Sequence, residues 1–206
     1  MGIRERKRRD ADKMRKRILE AAMNLFSKGG YENVSMRRIA EKIEYSPGTI
    51  YLYFKNKNDI MLQLCYHGFE QLLTLQEELD LISHPLERLS TGGRYYISFA
   101  LENPELYELM FATKEIVQEP ALEEGSVPLK SFRKFEKHVR KCLDAGVLSG
   151  EDAEATAIAL WAALHGLASL LIKQRLRFLP EDKLDEIVQQ ALDFSLRNSS
   201  NKTSGP

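Results

Sequence analysis

Residues 35–57 read Ser-Met-Arg-Arg-Ile-Ala-Glu-Lys-Ile-Glu-Tyr-Ser-Pro-Gly-Thr-Ile-Tyr-Leu-Tyr-Phe-Lys-Asn-Lys, and this stretch decides the fold. Ser35 stands where an N-cap belongs, and Met36 to Ile43 follow as a short helix with Ile39, Ala40 and Ile43 on one face. Ser46-Pro47 restarts the chain, with serine as the cap and proline at the first helical position, where no N–H is needed. A third helix over about Pro47 to Tyr53 turns Ile50 and Phe54 inward. Two short helices joined by a turn of a few residues form a helix-turn-helix.

The element upstream braces this pair. Met14, Ile18, Ala21, Ala22, Leu25 and Phe26 make one apolar stripe at helical spacing, so the sequence predicts a first helix from about Asp10 to Lys28. Gly29-Gly30 ends it, because glycine takes the left-handed position without a Cβ clash. Downstream, Asn56 with Asp59 opens a long fourth helix in a capping-box-like arrangement. Further helices follow at about Pro85–Glu102, up to Lys114, Leu129–Ala145, Glu151–Arg177 and Glu181–Arg197. Period-2 runs of β-branched residues do not occur, so the expected class is all-α. Residues 117–128 hold two prolines, a glycine and three acids and read as a mobile loop.

The charge is unevenly placed. The 206 residues carry 30 Lys+Arg and 30 Asp+Glu, a net charge of zero. Residues 1–57 hold fifteen basic and seven acidic side chains, giving +8, so the remainder carries −8. A basic head on an acidic body suits a polyanion partner for the head. The densest part, Arg4 to Arg9, reads as a flexible arm. The N-terminus lacks the apolar stretch of a signal peptide, and no apolar run approaches a membrane span. Cys65 and Cys142 match no metal or redox spacing and read as reduced core thiols. The four histidines have no metal spacing, and neither a phosphate loop nor a nucleophile elbow is present. The expectation is therefore no catalytic residue, no metal and no cofactor.

Arg17 to Lys57 resembles the N-terminal domain of TetR-family (tetracycline-repressor-like) regulators. The resemblance rests on Ile18-Leu19-Glu20-Ala21-Ala22, Leu25-Phe26, Gly30-Tyr31, Ser35 to Ala40, Ser46 to Phe54 and Asn56-Lys57. Trp161, His165 and Gly166 further resemble the signature of the WHG type of C-terminal domain in that family. Two departures stand out: Glu44 occupies a turn position that is often glycine, and Pro47 follows the cap serine where a basic or polar residue is common. Glutamate resists positive φ by roughly 1 kcal/mol.

The resemblance implies three parts: a DNA-binding domain over 1–56 with its basic arm at 1–9, a helical ligand-binding and dimerisation domain over 57–197, and a disordered tail over 198–206. It implies a cytoplasmic, bacterial-type regulator. The expected form is a homodimeric repressor, joined through residues of 151–197 and released from a pseudo-palindromic operator by a small hydrophobic effector. An effector-independent, nucleoid-organising protein of the same fold is the alternative.

Candidate DNA-contact residues are Ser35, Arg37, Ser46, Pro47, Gly48, Thr49, Tyr51, Leu52, Tyr53 and Lys57. Gly48 permits close backbone approach, Thr49 and Leu52 suit a thymine methyl, and Ser35 and Lys57 sit at helix N-termini that favour phosphate. Tyr51 and Tyr53 point about 200° apart and cannot share a role. Candidate ligand-lining residues are Tyr66, Phe69, Tyr95, Phe99, Met110, Phe111, Phe135, Trp161 and His165, apolar walls with a few polar groups.

Overall fold

The computed structural model describes residues 2–112 and 125–198. Among them the regular elements are helices: α1 Ile3–Gly29, α2 Met36–Ile43, α3 Pro47–Tyr51, α4 Lys57–Glu78, α5 Pro85–Glu102, α6 Pro104–Ala112, α7 Val127–Asp144, α8 Ala153–Ile172 and α9 Glu181–Asn198. Single 3-10 turns occupy Tyr31–Asn33 and Leu79–Leu81. The all-α expectation holds. Most of the loop expected at 117–128 and residues 199–206 of the tail lie outside the described residues; Val127 already belongs to α7.

Local chemistry sets the boundaries. Gly30, at φ 65°, ends α1 and donates its N–H to Phe26 O at 2.6 Å. Asn56 Oδ1 accepts from Asp59 N at 2.9 Å, while Asp59 Oδ2 accepts from Lys55 N, so the box at the start of α4 closes one residue earlier than the standard pattern. Asp152 caps α8 by accepting from Ala155 N at 2.7 Å. Gln174 takes φ 51° just past the end of α8, which therefore stops well before Arg177.

The arm departs from expectation. Arg4 to Arg9 lie within α1, which starts at Ile3 and not near Asp10. Arginine, lysine and glutamate are good helix formers, no proline or glycine interrupts them, and Arg6 faces Asp10 one turn on. Apolar periodicity does not report such a segment, because it has no buried face.

The chain divides into two compact units. The first groups Met1–Gly68 with α6 from Glu105. Its core joins Ile18, Ala22 and Phe26 of α1, Ile39 and Ala40 of α2, Ile50 of α3, Phe54, Ile60, Met61 and Leu64 around the start of α4, and Leu109 of α6. The division thus falls inside α4 and not at residue 56. The first turns of α4 fill the head core. At Gly68 a Cβ would overlap the Met110 sulfur, so the missing side chain lets α6 lie close. Cys65 Sγ reaches Leu109 O at 3.6 Å in the same contact.

The second unit groups Phe69–Pro104 with α7, α8 and α9. Within it α5 packs on α7, α8 and α9, and α8 packs on α7. Leu89, Val139, Cys142, Leu148, Ala157 and Leu160 form its core, with Phe132 and Phe135 against it. Both cysteines are free and buried, and burial pushes the Cys65 thiol up to about 12 and the Cys142 thiol to about 11.

One reading of the sequence is corrected by α8. Over an 18-residue window this helix reaches a mean hydropathy of 1.8, enough by length and composition alone to cross a membrane. Glu154, Thr156, His165 and Ser169 break up the apolar letters, which hides the helix from a search for unbroken runs.

Candidate nucleic-acid interface

Two caps build the interface. Ser35 Oγ accepts from Arg38 N at 3.2 Å and starts α2. Ser46 Oγ accepts from Thr49 N at 3.3 Å and lies 3.1 Å from Thr49 Oγ1, which starts α3 behind Pro47. Leu52, Tyr53 and Phe54 continue the turn through N–H bonds to Thr49 O and Ile50 O, although α3 itself ends at Tyr51, two residues short of expectation. Ile50 is fully buried and Phe54 nearly so; these two side chains fix which side of α3 faces out.

The outward side is a continuous exposed strip. Ser46, Pro47 and Gly48 are exposed, Thr49 is half-buried, Tyr51 is 56% exposed and Leu52 80% exposed. An 80% exposed leucine beside a half-exposed tyrosine, on a scaffold this tightly packed, is a presented surface and not core left over. Tyr53 is half-buried and packs against the head core, so the two tyrosines do separate.

The cationic candidates are placed differently from one another. Arg37 is exposed and its Nε donates to Glu41 Oε1 at 2.8 Å, which raises the arginine above its ordinary pKa. The pair is solvent-exposed, so its net strength is small and it yields to a stronger anion. Lys57 lies with Nζ 3.6 Å from the Tyr31 ring centre and donates to Tyr31 O at 3.3 Å; Tyr31 Oη in turn bonds Asn58. Lys57 is thus oriented by α1's trailing turn, with donors left over.

The sequence reading missed Tyr45 and Arg17. Tyr45 is 42% exposed in the turn, and the Arg17 guanidinium stands 5.3 Å from its ring centre. An aromatic directly before a cap serine was the available signal. Glu44 adopts φ 61° and ψ 42°, the left-handed conformation that glycine usually supplies at such turns.

The ligand-lining candidates divide between the units. Tyr66, Met110 and Phe111 belong to the first, where Phe111 stacks obliquely on Tyr107 at 4.8 Å. Phe69, Tyr95, Phe99, Phe135, Trp161 and His165 belong to the second. There Tyr95 is 38% exposed, and the residue that meets the α8 pair is its neighbour Tyr96. Trp161 Nε1 donates to Tyr96 Oη at 3.1 Å, and that hydroxyl lies 3.5 Å from His165 Nδ1. Tyr96 continues the Leu89–Gly93–Ala100 stripe of α5, whereas Tyr95 lies about 100° off it. Burial, and then Lys173, holds the His165 imidazole below its ordinary value. No cluster of three or more metal-binding side chains occurs among the described residues.

Comparison with known proteins agrees with this geometry. The family described as bacterial regulatory proteins, tetR family, matches residues 18–64. The family described as tetracyclin repressor-like, C-terminal domain, matches residues 89–194, a span that contains Trp161, His165 and Gly166. The chain belongs to the TetR family. An HTH-type transcriptional regulator of Staphylococcus aureus (strain USA300) is 34% identical to this TetR-family chain over 116 residues, 51% of the chain and 57% of the relative. The match therefore spans little more than half of that relative's length. Two solved structures share the fold. PfmR of Thermus thermophilus, a TetR-family transcriptional regulator, has a TM-score of 0.65 and 20% identity over 87% of this chain and 97% of its own. The fatty acid degradation regulator FadR of Bacillus halodurans has a TM-score of 0.71 and 15% identity, over 88% and 94%.

Proposed function

We propose that this TetR-family chain is a cytoplasmic, homodimeric DNA-binding repressor, released from a pseudo-palindromic operator by a small hydrophobic effector. The observation that carries the DNA-binding part is the exposed strip from Ser46 to Leu52, held outward by buried Ile50 and Phe54 on a head of charge +8. Short polar residues, a glycine and an exposed leucine at the start of a helix are what a major groove admits. Ser35, Arg37, Lys57 and the basic turns of α1 then act on phosphates, which position the protein without reading sequence.

Dimerisation is supported by α8 and α9. Only 17% of the apolar α8 window is buried within the chain. Ile158, Ala162, Gly166 and Leu170 recur every four residues on α8 and all are exposed, while Phe194 of α9 is 66% exposed. Small residues between larger apolar ones allow two helices to approach closely, and a second copy gives a four-helix bundle. Half-sites one helical turn apart, about 34–36 Å, follow for the operator. The effector reading is supported by the second unit, where Trp161, Tyr96 and His165 set polar groups together beside Phe132; the effector binds one conformation better and shifts the population.

The test is a salt titration of binding to a selected operator, with sedimentation of the free protein. A dimer neutralising about 6–10 phosphates gives a slope of log K against log salt between about −5 and −9. A slope near zero, or a monomer at micromolar concentration, overturns the reading.

A further inference from the structure

Arg88 is the odd residue of the second unit. It lies in the first turns of α5, is 7% exposed, and sits next to Leu89 of the apolar core. Its Nε and Nη2 both donate to the carbonyl of Ile82, at 2.9 and 2.6 Å. Its Nη1 is buried and has no hydrogen-bond partner among the described residues.

Among the described residues no acid forms an ion pair with it. Asp80, the acid of this region, is already taken by Lys134 and by His138 Nε2, the latter at 3.1 Å. His138 is 2% exposed; burial holds it below its ordinary value against Asp80, and the positive charges of Arg88 and Lys134 push it the same way. Cys142, fully buried, also feels the charge of Arg88 and remains a thiol. Arg88 is thus a desolvated cation among a neutral imidazole, a neutral thiol and aliphatic side chains. Buried charges of this kind are normally paired, and the planar fork of arginine pairs best with a carboxylate or phosphate.

We propose that Arg88 anchors the anionic head of the effector through Nη1, so that this chain takes an acidic amphiphile, a carboxylate or phosphate on an apolar tail, and not a neutral hydrophobe. This rests on the effector reading given above and specifies its chemistry. The Ile82 carbonyl fixes the guanidinium plane and leaves the Nη1 edge for the ligand.

The experiment compares decanoate, decyl phosphate and decanol, below their micelle concentrations, on the whole chain. The readouts are the fluorescence of Trp161, the single tryptophan, and the thermal midpoint. One charge-assisted hydrogen bond predicts that an anion binds roughly tenfold to a hundredfold tighter than decanol. Which of the two anions binds better tells a carboxylate head from a phosphate one. In Arg88→Met the advantage of the anion disappears while the decanol response remains. The wild-type titrations stand without any variant, so a poorly folding Arg88→Met does not remove the test. Decanol binding as tightly as both anions overturns the anchor and leaves the effector reading intact. Binding of none of the three overturns both.

Discussion

Arg17 of α1 donates from Nη2 to the carbonyl of Ile43, the last residue of α2, at 3.2 Å. The same guanidinium stands over the ring of Tyr45. One side chain thus satisfies an end carbonyl of α2, meets the negative end of its dipole and holds the aromatic of the turn. The turn between α2 and α3 is fixed from outside itself, which matters because Glu44 takes positive φ without being glycine.

That strain is measurable. A non-glycine residue in the left-handed region costs about 1–2 kcal/mol, and glycine costs about 0.5–1 kcal/mol more in unfolded-chain entropy. Glu44→Gly is therefore expected to stabilise the head by about 0.5–1 kcal/mol, a rise of a few degrees in its thermal midpoint. Arg17→Ala is expected to lower the midpoint in the wild type and by less in the Glu44→Gly background, because the relaxed turn needs the tether less. A double-mutant cycle in thermal melts reads the coupling; strict additivity would show that Arg17 and Glu44 do not share the turn.

Ser46 separates stability from DNA affinity. Ser46→Ala removes the cap of α3 and costs about 1 kcal/mol. Ser46→Asp keeps a capping oxygen, and with it the midpoint, but places a carboxylate on the face offered to phosphates. Operator affinity, read by fluorescence anisotropy, is expected to fall about tenfold or more for Ser46→Asp, and by less for Ser46→Ala despite its lower stability. Wild-type affinity in Ser46→Asp would remove this face from the interface.

Leu52 and Lys57 are expected to differ in kind. Leu52 projects into solvent and supports nothing inside the head. Leu52→Ala should leave the melt unchanged and alter preference at one base pair in each half-site, by about 1–3 kcal/mol. Lys57 is held by the Tyr31 ring and carbonyl. Lys57→Ala should weaken all sequences alike, reduce the salt slope and lower the midpoint slightly. Binding selections with both variants decide it; the same base preference after either change would refute the division of labour.

Much of the head's fold was legible because its signals are local. Ser35, Ser46-Pro47, Gly29-Gly30 and Asn56 with Asp59 each fix a boundary through contacts within four residues, and sequence spacing reports such contacts directly. What was not legible depends on distant parts of the chain. Tyr95 and Tyr96 are adjacent, and only the packing of α5 on α8 decides that Tyr96 meets Trp161. The attachment of α6 to the head rests on Gly68 and Met110, which are 42 positions apart in the sequence. Arg4 to Arg9 continue α1 without an apolar stripe to betray it. Arg88 reads as a surface charge in any window and is buried only because Ile82 offers its carbonyl across the bend into α5.

The last expectation concerns acid. His138 is buried and hydrogen-bonded to Asp80, yet burial outweighs that acid and holds the imidazole below 6.5. At neutral pH the contact is a neutral N–H donating to a carboxylate, with Lys134 as the counter-charge. An unfolded chain protonates this histidine near its ordinary value while the folded one resists, so the unfolded state binds more protons and stability falls as pH drops through about 6.5. Asp80 is held down to about 2, chiefly by Lys134, so its contribution is lost only between about pH 4 and pH 2. The two windows do not overlap. Between about pH 7.5 and 5.5 the loss is therefore shared by His138 and His165, the other imidazole that burial holds low, each by up to about 1.4 kcal/mol per pH unit below its ordinary value. Thermal melts across that range should show the midpoint falling in the wild type and falling less in His138→Gln, whose amide still donates to Asp80. Parallel slopes in the two proteins would mean that the folded histidine titrates as an exposed one does.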